Sequence, residues 1–129
     1  MTIKKSDAES SFHREETKCI ELHGSSSMTI DFFTGDKRVY GFPYHHLINY
    51  VLDANPNLDR NRDAPPDRLT LGFASHDVVV LGWRLQGLLQ FLHDAKIMTI
   101  RIFDGRYAEL SSGVPFITEI VVTPVKDAS

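Results

Sequence analysis

Short apolar segments that alternate every second residue, each closed by a glycine or a cluster of Asp and Ser, are what most limits how this chain can fold. Met28, Ile30 and Phe32 share one side of such a segment; so do Leu69, Leu71 and Phe73, then Met98, Ile100 and Ile102, and residues 116–122 repeat the pattern. A period of two puts successive side chains on opposite faces, so each segment is predicted to be a half-buried strand. Gly35-Asp36 supplies residues that tolerate positive φ and leads to a second strand over residues 38–42. Ser75-His76-Asp77 connects the Leu69 segment to the apolar run at residues 78–81, and Asp104-Gly105 leads to a return strand over residues 106–110. Hairpins joined by such turns predict a mainly β chain.

One segment departs from this rhythm. Leu85, Leu88, Leu89 and Leu92 recur at i, i+3, i+4 and i+7, which predicts an amphipathic helix over residues 84–95. Gly87 lies inside it, at a cost of about 1 kcal/mol relative to Ala. A thinner helical stripe runs over residues 12–22, within a polar amino-terminal segment at residues 1–27. Residues 44–52 satisfy two periods: Tyr44, Leu47, Ile48, Val51 and Leu52 form a helical stripe, while Ile48, Tyr50 and Leu52 line one side of a strand. Residues 53–68 are rich in Asp, Asn, Arg and Pro and predict a long exposed loop, and residues 124–129 form a polar tail. The body is then one β-rich domain over residues 28–123, with extra strands after the helix.

Composition narrows the function. The chain has 129 residues, enough for one core; 42% apolar and 24% charged residues exclude a disordered profile. A net charge of −3 supplies no global positive field, so DNA and anionic lipid are not expected partners, and RNA would need a local patch. Cys19 is alone, which rules out an internal disulfide, and no apolar run has the length of a signal peptide or a membrane span. A cytoplasmic protein is the expectation.

Residues 35–54, GDKRVYGFPYHHLINYVLDA, carry a turn glycine, a strand ending in glycine, a short loop, and a hydrophobic-Asn pair before an apolar strand. Residues 80–85, VLGWRL, carry an apolar turn around a glycine. Together, across residues 28–88, they resemble the two halves of the Sm-like signature. The resemblance implies a small, strongly bent antiparallel β-barrel that associates with itself through strand edges. It also implies single-stranded RNA binding through Asn49 and Gly82, with Arg84 beside them and His46 or Tyr44 as a base-stacking group. The chain departs from the pattern at Leu47, where an aromatic or His is usual, at His45 in place of Asp, and at Leu81 in place of Arg. Stacking contributes about 1 to 3 kcal/mol per base, so these changes weaken the pocket the family would use.

Other chemistry is thinly signalled. His45 and His46 are adjacent, and neighbouring residues on a strand or a helix do not face the same point, so solvated side chains outweigh a shared metal ion. His76-Asp77 and His93-Asp94 read as a turn pair and a helix-end pair. Trp83 beside Arg84 offers a cation–π pair or, more commonly, a core plug. Arg60, Arg62 and Arg68 are interleaved with Asp59, Asp63 and Asp67, the pattern of a solvated loop. No phosphate loop, nucleophile elbow or zinc spacing occurs, so no catalytic residue, cofactor or metal is assigned. The expected function is a non-enzymatic, homo-oligomeric binding or assembly module. RNA binding is the first alternative, and a small enzyme using His45 or His46 the second.

Overall fold

The computed structural model describes residues 19–59, 64–102 and 114–125. Among the described residues, eight strands form two four-stranded sheets: β1 (Ile20–Leu22), β2 (Thr29–Phe33), β3 (Val39–Pro43), β4 (Leu47–Ala54), β5 (Asp67–Phe73), β6 (His76–Trp83), β7 (Ile97–Arg101) and β8 (Phe116–Pro124). Sheet A has the order β1-β7-β2-β3, and sheet B the order β4-β5-β6-β8. The mainly β class expected from the alternation is present. The two sheets are not closed into a barrel; they lie as separate layers around one core.

Alternation decides which side of β2, β5 and β6 enters that core. Ile30, Phe32 and Phe42 from sheet A meet Leu69, Leu71, Phe73, Val78 and Val80 from sheet B, all buried. Phe42 stacks on Phe73 at 4.4 Å between ring centroids, and Phe32 meets the same ring edge-on at 5.9 Å. Burying a side chain of this size is worth about 1.5 to 3 kcal/mol, so this aromatic trio is a main tie between the layers.

Both amino-terminal hairpins form as expected, with different turns. β2 pairs with β3, and the positive φ falls on Lys37 (71°) rather than on Gly35. β5 pairs with β6 through a shorter turn than expected, because His76 and Asp77 already lie in β6. Residues 44–52 take the strand alternative from Leu47 onward, as β4, after one 3-10 turn at Tyr44–His46; the helical stripe through Leu47, Ile48, Val51 and Leu52 does not form. Pro43 in extended geometry ends β3, and this turn carries the chain from sheet A to sheet B.

Several expectations are corrected. Ile20 to Leu22 form a strand and no helix, because β7 offers them a partner; the rest of the 12–22 stripe lies outside the described residues. The predicted single helix over residues 84–95 is two pieces, a 3-10 turn at Leu85–Leu88 and α1 (Leu89–His93). Arg84 enters in the left-handed region (φ 58°), and Asp67 Oδ2 accepts the Leu85 N–H at 3.0 Å. Ala95 (φ 56°) ends the segment while the Lys96 N–H donates to the Phe91 carbonyl at 2.8 Å, a left-handed helix stop. The apolar stripe holds, since Leu85, Leu88 and Leu92 are buried.

The loop at residues 53–68 is shorter and better anchored than its composition implied. β4 extends to Ala54, β5 begins at Asp67, and a 3-10 turn occupies Pro56–Asp59. Buried Asn55 closes its base: Nδ2 donates to the Pro65 carbonyl at 2.8 Å, and the backbone N–H donates to the Pro66 carbonyl at 2.9 Å. Pairing is also not wholly antiparallel, because β7 runs parallel to β2. The return strand expected over residues 106–110, with its Asp104-Gly105 turn, lies outside the described residues.

Candidate functional site

The residues singled out as an RNA pocket occupy two opposite ends of sheet B. Asn49 pairs with Gly72, which pairs with Asp77, whereas Gly82 lies five positions further along β6, opposite Asp67. At roughly 3.3 Å per residue this is about 17 Å. Their faces differ as well. Asn49 follows the parity of Gly72 on the outer side, and Gly82 that of buried Val78 and Val80 on the inner side.

At the Asn49 end, side chains stand in water. His45 and His46 are exposed on the 3-10 turn, their rings edge-to-face at 4.6 Å. The His46 carbonyl accepts the Ala74 N–H at 2.9 Å, which fixes the turn against the β5–β6 connection. Asn49 is exposed, with Oδ1 lying over Gly72. Tyr44 is committed elsewhere. Its hydroxyl donates to the Ile97 carbonyl at 2.8 Å and accepts the Ile97 N–H at 3.1 Å, and burial pushes its pKa up to about 12. The hydroxyl thus serves as the hydrogen-bonding partner of a β7 residue.

At the Gly82 end, backbone and core dominate. A Cβ on residue 82 would collide with the Phe116 carbonyl oxygen and lie 3.1 Å from Ile117 Cα, where a bulge shifts the β6–β8 register. Gly82 therefore permits close approach of two strands. Arg84 Nε donates to the Val114 carbonyl at 2.8 Å, and half-buried Trp83 meets the buried Phe116 ring at 5.7 Å.

The remaining sequence candidates also have definite places. His76 lies 2.8 Å from Ser75 Oγ and faces Phe42 at 5.4 Å between ring centroids. Arg68 grips Asp53 with two hydrogen bonds of 3.1 and 2.8 Å, which holds the Asp53 carboxyl below its ordinary pKa. Cys19 is fully buried, and its Sγ accepts the Ile117 N–H at 3.3 Å. Among the described residues, no three His, Cys, Asp or Glu side chains converge on a point that would hold a metal ion. No described helix is long and apolar enough to cross a membrane.

Two features escaped sequence reasoning. Arg101 sits over the Phe33 ring at 4.8 Å and reaches Glu21 at 3.5 Å, joining residues that only the β1-β7-β2 order brings together. The second is the edge of sheet B at β4. A bulge between Leu47 and Asn49 throws Ile48 outward, 70% exposed, and Val51 is 55% exposed on the outer face. The apolar run was visible in the sequence, but nothing in it marks β4 as a sheet edge. In comparisons with known proteins, the chain matches no family model, no curated protein and no solved structure.

Proposed function

We propose that this protein is a non-enzymatic module that works by associating with copies of itself. The observation that carries the proposal is the β4 edge. Strand edges expose unpaired N–H and C=O groups, and monomeric proteins guard them with short strands, lysines or prolines. β1 is three residues long; β3 is preceded by Arg38 and ends at Pro43; β8 ends at Pro124. β4 is eight residues long, with no Lys, Arg or Pro and with Asp53 as its one charge. An apolar edge of that length favours pairing with another strand.

In this proposal the resemblance across residues 28–88 makes the chain a divergent Sm-like relative that keeps self-association through strand edges, with the bent barrel opened into two layers. Light scattering on a sizing column, with the ratio of nucleic-acid to protein absorbance followed across the peak, tests it. A multimer free of nucleic acid is expected. A monomer at all concentrations overturns the proposal, and a peak rich in nucleic acid replaces it with an RNA reading in which His46 and Asn49 act at one end of sheet B, apart from Gly82 and Arg84 at the other.

A further inference from the structure

The assembly reading names the β4 edge but leaves open which strand of the copy it meets, in what register and how many copies result. Resting on that reading, we infer that β4 pairs antiparallel with β4 of a second copy about a two-fold axis through Val51. The regular part of β4, past the bulge at Ile48, pairs from Asn49 to Ala54 with β5, so Val51 lies midway between Asn49 and Asp53.

Symmetry limits the registers. A two-fold axis perpendicular to the sheet keeps outer side chains opposite outer ones, so the axis must pass through a residue of β4 and not between two. With the axis at Val51, the outer face brings Val51 against its own copy and Asn49 against Asp53 in both directions. An amide donor then faces a carboxylate already gripped on its other flank by Arg68. On the inner face, Tyr50 meets Leu52, and both are half-buried rim residues of the core. An axis at Tyr50 would set Asp53 against Leu47. One at Leu52 would set Asp53 against Val51, and one at Asp53 would oppose two carboxylates. Of the registers centred on Tyr50, Val51, Leu52 and Asp53, the one at Val51 gives each position from Asn49 to Asp53 a compatible partner.

Such a contact is isologous and closes at two copies, joining the two B sheets into one of eight strands. The discriminating experiment compares Val51→Lys with Val121→Lys, an exposed apolar position on the same face at the opposite edge, β8. Val51→Lys should weaken the dimer by about tenfold or more, since like charges would lie directly opposite, while Val121→Lys should leave it unchanged. Val51→Cys should crosslink between copies on mild oxidation, Val121→Cys should not, and buried Cys19 serves as the internal control. Circular dichroism confirms that each variant folds. A multimer that survives Val51→Lys and gives no Val51→Cys crosslink overturns this register while the assembly reading stands. A monomeric parent protein overturns both.

Discussion

Gly72 in β5 and Gly82 in β6 belong to neighbouring strands of one sheet, yet each lacks a Cβ for a different reason. Around Gly82 the obstacles are main-chain atoms of β8, which cannot move without breaking the sheet. Around Gly72 the obstacle is Asn49 Oδ1, 2.5 Å from where a Cβ would stand and the end of an exposed side chain that can swing aside. The contrast divides sheet B into an end where the backbone is locked and an end where side chains are free to meet something else. Glycine in a motif therefore has no single meaning, and what it faces decides its role.

The largest test of this contrast is Gly82→Ala, expected to destabilise by about 3 kcal/mol or more, read as a lowered denaturant midpoint. Next comes Tyr44→Phe, which strips the β7 residue Ile97 of both its hydroxyl contacts and should cost about 1 to 3 kcal/mol. The same hydroxyl gives a pH signature. Its pKa is near 10 unfolded and about 12 folded, so the folded state holds the proton more tightly. Its contribution is fully present below pH 10 and is lost as pH rises towards 12. Subtracting the Tyr44→Phe pH–stability curve from that of the parent isolates this loss, and a flat difference would break the assignment. Asp67→Ala, which removes the acceptor of the Leu85 N–H beside Gly82, should cost about 1 kcal/mol. Gly72→Ala should be smallest, within about 1 kcal/mol. If the two glycine variants cost the same, the division into locked and free ends fails.

These positions also show what the sequence could disclose. The hairpins around Phe32 and Phe73 were legible because strand pairing there is local and the alternation is strict. The leucine stripe at residues 85–92 was legible as a buried helical face, but its division was not, because that depends on Asp67 from another strand. Gly82 was visible as a motif glycine, while its obstacle is a carbonyl 34 residues away that no local pattern records. His46, Asn49, Gly82 and Arg84 belong together only through the resemblance to the Sm-like signature. Pairing register, set by side chains across the whole sheet, distributed them to opposite ends.

The position of β7 bears on the order in which the molecule assembles. It lies between β1 and β2, so Glu21 reaches its partner Thr99 only after the chain has travelled through all of β2 to β6. The Arg101 N–H donates to the Cys19 carbonyl at 2.8 Å, extending the same β1–β7 ladder past Ile20. Contacts that distant in sequence form slowly, because a long loop must close before they yield any stabilisation. During refolding, amides of the β2–β3 and β5–β6 hairpins should gain hydrogen-exchange protection first, and those of β1 and β7 last. Until β7 arrives, β1 has no neighbour among the described strands of its sheet, and a nascent chain holds one layer of its core ajar.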